Sequence, residues 1–142
     1  MTIAAILAGN RHPVITADGA MKVSEAIALL AEKRIGALLV IADGEVVGIF
    51  SERDVIYCLQ TAGADALNRT VGEVMTAPAV TVGPGEKVYG ALSLMTRRRI
   101  RHLPVLDAGA IVGFVSIGDL VKYRIDRIEE EAAAMRDYIQ GA

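Results

Sequence analysis

The chain is written twice. Sliding it over itself by 65 residues carries Thr16 onto Thr81, Lys22-Val23 onto Lys87-Val88, Ala26 onto Ala91, Leu29 onto Leu94 and Arg34-Ile35 onto Arg99-Ile100. The match runs on without a gap through Leu38 and Leu103, Val40 and Val105, Gly44 and Gly109, Val47-Gly48 and Val112-Gly113, Ser51 and Ser116, and Asp54 and Asp119. About a third of some forty aligned positions are identical, enough to treat the chain as two copies of one structural unit. Upstream, Ile3, Ile6 and Leu7 fall on Val71, Val74 and Met75 at a shift of 68, so the following loop is longer in the first copy.

Each copy has the same order of patterns. A few β-branched residues (Val14-Ile15-Thr16; Val80-Thr81-Val82) precede apolar residues at helical spacing, namely Val23, Ile27, Leu30 and Val88, Leu92, Met95. Two apolar runs then flank Asp43-Gly44, a pair suited to the positive φ angles of a tight hairpin turn. A serine, Ser51 or Ser116, opens a last helical segment as its N-cap. The unit is βαββα, and the expected fold is α+β. A unit this small buries too little surface to stand alone, so the copies are expected to pack face to face about a pseudo-two-fold axis with a cleft along it. The expected segments are 1–67 and 68–124, followed by an amphipathic C-terminal helix over 125–142. There Val121, Ile125, Ile128, Ala132, Met135 and Ile139 step by 4, 3, 4, 3 and 4. Such a seam either lies on its own domain or meets a second copy.

Composition closes several doors. Fifteen Lys and Arg against seventeen Asp and Glu leave a net charge of −2, which gives no general attraction to nucleic acid or anionic membrane. The lone cysteine, Cys58, excludes an internal disulfide and a Cys-based zinc site, so no metal is expected and a reducing cytoplasm is the expected compartment. It reads as a small core residue. The apolar N-terminus has no basic region before it and breaks off early at Gly9, unlike a secretory signal. The longest clean apolar run inside the chain, Ala37 to Ala42, falls far below the roughly 18 residues a membrane span needs. No P-loop, GxGxxG or nucleophile-base pair is present, so no catalytic residue is named and no enzyme is expected.

One phrase is shared by both copies at the end of the hairpin: Gly48-Ile49-Phe50-Ser51-Glu52-Arg53-Asp54 and Gly113-Phe114-Val115-Ser116-Ile117-Gly118-Asp119. Ser-x-x-Asp at a helix start is a capping box, which needs no ligand. The same geometry offers N–H groups and a hydroxyl to an anion or sugar, and a carboxylate that can accept both hydroxyls of a ribose diol. The two uses are compatible, and both copies place the phrase where the cleft should open.

With Val71-Gly72-Glu73-Val74-Met75-Thr76 and Arg99-Ile100-Arg101-His102-Leu103-Pro104-Val105-Leu106-Asp107, these phrases make nearly the whole chain resemble a tandem pair of cystathionine-β-synthase (CBS) domains, a Bateman module. The resemblance implies a sensor that binds an adenosine-containing ligand between the repeats: AMP, ADP, ATP or NAD, with S-adenosylmethionine behind them. It also implies a flat homodimer and an effector protein that the sequence does not name. Carried over by position, it makes Asp54 and Asp119 ribose ligands and Ser51 and Ser116 hydroxyl contacts. Arg53 becomes a phosphate contact where the second copy has Gly118, and Arg101-His102 become phosphate contacts where the first copy has Gly36-Ala37. Thr16, Thr81, Ile35 and Ile100 would line the adenine. The two sites are therefore expected to differ.

Two other functions compete with this one. The chain could be a ligand-free interaction or dimerisation module, with both Ser/Asp pairs acting only as caps and the 121–139 seam making the contact. The dense basic run from Arg97 to His102 could meet nucleic acid, which predicts binding that falls steeply with salt. Arg97 and Arg98 are explained more simply as a solvated helix C-terminus favoured by the macrodipole. His12, before Pro13, reads as ordinary surface.

Overall fold

Secondary structure follows the repeat closely. In a computed structural model that describes residues 1–9 and 13–141, and so leaves His12 outside, the first half contains α1 (Ile3–Gly9), β1 (Thr16–Asp18), α2 (Val23–Lys33), β2 (Ala37–Ala42), β3 (Glu45–Ser51) and α3 (Glu52–Ala62). A 3-10 turn (Gly63–Asn68) leads to α4 (Val71–Val74), α5 (Val88–Arg98), β4 (His102–Asp107), β5 (Ala110–Ser116) and α6 (Ile117–Gly141). Among the described residues no helix is long and apolar enough to cross a membrane.

Matching residues end matching elements. Helices α2 and α5 both stop at an arginine in the left-handed region, Arg34 at φ 53° and Arg99 at φ 55°. The next amide then turns back: Ile35 N–H donates to the Leu30 carbonyl at 3.1 Å and Ile100 N–H to that of Met95 at 3.0 Å, a Schellman closure. The hairpin turns use positive φ in both copies, 52° and 78° at Asp43-Gly44 and 50° and 83° at Ala108-Gly109, as the sequence expects of the first.

The copies differ in their first strand. Strand β1 runs parallel to β2, with Thr16, Ala17 and Asp18 opposite Leu39, Val40 and Ile41. The expected counterpart at Val80-Thr81-Val82 is reduced to one bridge, Val82 with Val105, beside the two-stranded sheet β4-β5. Proline explains the loss. In the first copy Leu39 N–H donates to the Ile15 carbonyl at 3.2 Å, but Pro104 stands in the place of Leu39 and has no N–H to give to Val80.

Two hydrophobic cores form, and the short helices cross between them. Val23, Ala26, Leu30, Leu38, Val40 and Phe50 build the first core, together with Val71 from α4. Val88, Ala91, Met95, Leu103, Val105, Val115 and Leu120 build the second, together with Ile3 and Ile6 from α1. Each copy thus closes the other's core, which ties the halves into one body. Burying a side chain the size of Ile3 stabilises by roughly 1.5–3 kcal/mol.

Helix α6 runs unbroken for 25 residues, about 37 Å, with no interruption between the second repeat and the terminal segment. Its first turns bury Leu120 and pack Ile117 and Tyr123 on the second core. Beyond them the seam is uncovered: Ile125 and Ile128 are each 49% exposed and Ile139 is 66% exposed. The terminal stretch does not lie down on its own domain.

Candidate functional site

Both Ser/Asp phrases fold as caps at the heads of α3 and α6. The Asp54 carboxylate accepts the Ser51 backbone N–H at 2.8 Å and the Ser51 hydroxyl at 3.2 Å through Oδ2. In the second copy the Ser116 N–H donates to Asp119 Oδ2 at 2.9 Å, and the Asp119 N–H donates to the Ser116 hydroxyl at 3.2 Å. Asp54 takes one more bond through Oδ1, from the Thr76 hydroxyl at 2.8 Å. Three of its roughly four acceptor positions are then filled, and a diol seeking two would displace one of these donors.

Thr76 arrives there because Gly48 lets it. An antiparallel bridge joins Ile49 to Thr76 through two hydrogen bonds of 2.9 Å each. A Cβ at Gly48 would sit 2.7 Å from the Thr76 carbonyl oxygen, so the strand accepts Thr76 only where it lacks a side chain. The glycine that opens the repeated phrase therefore positions the partner of the aspartate that closes it.

Two cavities flank the contact between the copies, and each is assembled from both. The larger, about 630 Å³, joins Ser51, Arg53 and Asp54 of the first copy to Thr76, Val80, Arg98, Ile100, Arg101 and His102 from the second half. The smaller, about 430 Å³, joins Ser116 and Asp119 to Pro13, Ile15, Lys33, Arg34 and Ile35 of the first copy, with Phe114 and His102. Gly36 lines both. These linings correspond under the repeat, Val80 to Ile15, Arg98 to Lys33 and Ile100 to Ile35.

Nine of the eleven residues expected at the site are therefore brought to a cavity: Ser51, Arg53, Asp54, Ile100, Arg101 and His102 to the larger, Ser116, Asp119 and Ile35 to the smaller, with His102 on both. Thr16 and Thr81 line neither; both are exposed, and the walls beside them are Ile15 and Val80. The crossing of the copies also sharpens the asymmetry. Arg53 and Arg101 come from different copies but meet in one cavity, while their counterparts Gly118 and Gly36 leave the other to Lys33 and Arg34. Arg53 also donates to the Arg99 carbonyl, a direct tie between the copies.

Six lining residues with clear chemistry escape a residue-by-residue sequence reading: Glu52, Tyr57, Thr76, Lys33, Arg34 and Arg98. Arg98 is a helix end, as expected, but also a cavity wall. The signal for Lys33 and Arg34 is the repeat itself, which aligns them with the basic run at Arg98-Arg99. His102 is held against Phe114, with ring centroids 5.6 Å apart and planes 20° from parallel. Burial pushes its pKa below the usual imidazole value, Glu52 pulls it up, Arg101 pushes it down and Asp119 pulls it up. The ring is thus neutral near pH 7.

A cleft assembled crosswise from two copies of one capped phrase agrees with the sequence profile of the CBS domain, which matches residues 5–61 and 71–126. The chain belongs to the CBS-domain family. It is 37% identical over 124 residues to the mitochondrial CBS domain-containing protein CBSX3 of Arabidopsis thaliana, covering 84% of this chain and 60% of that protein. The chain thus spans less than two thirds of that relative. A CBS-domain protein of Agrobacterium tumefaciens superposes with a TM-score of 0.83 at 35% identity, covering 87% of this chain and 92% of that one.

Two further CBS structures were solved with adenosine compounds. CBSX2 in complex with AMP superposes with a TM-score of 0.72 at 27% identity, over 88% of this chain and 96% of that one. The CBS-domain pair of protein MJ0100, in complex with 5-methylthioadenosine and S-adenosyl-L-methionine, superposes at 0.78 and 25% identity, over 89% of this chain and 98% of that one.

Proposed function

We propose that this CBS pair is a regulatory sensor that binds an adenosine-containing ligand in the two cavities between its repeats. The observation that carries this function is the crosswise construction of each cavity. A capped carboxylate from one copy faces an apolar wall (Val80 and Ile100, or Ile15 and Ile35) and basic side chains from the other. The carboxylate suits a ribose diol, the aliphatic wall suits a purine face, and the guanidinium groups suit phosphate. The complexes of CBSX2 and MJ0100 with AMP and with S-adenosyl-L-methionine and 5-methylthioadenosine support this ligand class. On the larger cavity the three guanidinium groups of Arg53, Arg98 and Arg101 outnumber the carboxylates of Glu52 and Asp54, which favours a phosphorylated ligand there over a cationic sulfonium. AMP, ADP, ATP and NAD are therefore placed before S-adenosylmethionine.

Because each cavity spans both copies, a ligand that fits one arrangement of the copies better shifts the balance toward it. The uncovered stripe of α6 favours a second copy of the chain as the surface that receives this change, with an effector protein downstream. A melting series with AMP, ADP, ATP, NAD and S-adenosylmethionine on the wild type, Asp54→Ala and Asp119→Ala tests the proposal. A ligand at a hundred times its Kd stabilises by about 2.7 kcal/mol, several degrees of Tm for a chain of this size. A shift with one adenosine compound, lost in an aspartate variant, supports the sensor. No shift with any of them leaves the dimerisation module in its place, with both Ser/Asp pairs serving only as helix caps.

A further inference from the structure

Among the described residues Gly36 and His102 alone line both cavities, and His102 alone of the two can carry charge. A Cβ built at Gly36 would stand 3.2 Å from His102 Cε1 and 3.3 Å from Nε2, so the edge of the imidazole occupies the space that a side chain at Gly36 would need. Glu52 Oε1 is 3.0 Å from the same point. Phe114, from the smaller cavity, stacks on the ring. One imidazole therefore forms the partition. The repeat does not supply a second, because the position equivalent to His102 is the buried Ala37.

The charged groups around the partition come from several elements. Glu52 at the head of α3, Arg101 next to the histidine and Asp119 in the first turn of α6 act on the ring directly. Arg53, Asp54 and Arg98 also line the larger cavity, and Lys33 and Arg34 line the smaller.

We propose that His102 couples the two cavities, so that an anionic adenosine ligand in one strengthens binding in the other. The proposal rests on the nucleotide function above. Burial leaves the empty-state ring neutral near pH 7. A phosphate on either side favours the imidazolium, and the ring takes one proton from solvent with no other bond made or broken. The second ligand then meets a cation already formed. An imidazolium that partitions the cavities stands between anions bound on its two sides, so its attraction opposes their repulsion. Once the pH falls below the lowered folded-state pKa, the ring is protonated before either ligand arrives, and the coupling fades.

Calorimetric titration of the full chain with AMP, at about pH 7.5 in two buffers of different ionisation enthalpy, tests this on the wild type, His102→Gln and Gly36→Ala. The expected result is two AMP per chain, a second Kd about fivefold or more below the first after statistical correction, and net proton uptake. In His102→Gln the uptake and the coupling disappear. In Gly36→Ala, whose new methyl group pushes on the ring, the coupling shrinks while the imidazole remains, which keeps the test open if the first variant fails to fold. Two independent AMP sites without proton uptake, one AMP per chain, or coupling that survives in His102→Gln would overturn the proposal and leave the nucleotide function standing. No AMP binding at all overturns both.

Discussion

Alanine at Gly48 and at Gly113 separates two positions that the repeat treats as the same. A Cβ at Gly48 would stand 2.7 Å from Met75 Sδ and 2.7 Å from the Thr76 carbonyl oxygen. At Gly113 the nearest atoms are Leu7 Cδ2 at 2.5 Å and Cδ1 at 3.0 Å. The Thr76 oxygen belongs to backbone pinned to Ile49 by two hydrogen bonds of 2.9 Å, whereas the leucine methyls can move to another rotamer. Forcing packed backbone apart costs typically about 1–3 kcal/mol, and alanine's smaller unfolded-state entropy returns up to about 1 kcal/mol at either position. Gly48→Ala should then lose about 1–2 kcal/mol, or roughly 3–6 °C of Tm, and Gly113→Ala should melt within about 2 °C of the wild type. Differential scanning calorimetry reads both. Equal melting temperatures, or a larger loss at Gly113, would refute the account of how Thr76 reaches the site.

Other consequences are as direct. Ile3 is fully buried in the second core, so Ile3→Ala should cost about 2–5 kcal/mol in chemical denaturation and raise amide exchange first in α5 and β4 rather than in the first repeat. The pKa of His102 is lowered in the fold, so its contribution to stability is present above the unfolded-state value near 6.5 and is lost as pH falls through the lower folded value. Urea midpoints measured down that pH range should fall in the wild type and fall less in His102→Gln. Ile125→Asp with Ile128→Asp places charge on the uncovered stripe of α6. Sedimentation should show a dimer for the wild type and a monomer of unchanged Tm at low concentration for the double variant, because neither side chain is buried in its own chain.

Much of this could be read from the repeat. The gapless match from Thr16 to Asp54 implied two equal units, and Asp43-Gly44 implied a hairpin because the turn needs positive φ, a local property. The Ser/Asp caps were legible for the same reason, since a capping box spans only four residues. What escaped depends on contacts far apart in the chain. Nothing local shows that Ile3 packs with Val88 instead of Val23, or that Asp54 faces Ile100 instead of Ile35. Thr76 sat in a phrase already noticed, but its role depends on the space beside Gly48. The shortened strand at Val82 was foreseeable from Pro104, yet only once Leu39 was known to donate to Ile15.

A crystal structure of the chain grown with saturating AMP tests the central claim most directly. The account predicts nucleotide density between the copies, with the ribose hydroxyls on the carboxylate of Asp54 or Asp119. The base should lie against the aliphatic wall of the other copy and the phosphate against the basic side chains of that cavity. AMP bound elsewhere, or both cavities empty at saturation while the Ser51–Asp54 and Ser116–Asp119 caps stay intact, would contradict it.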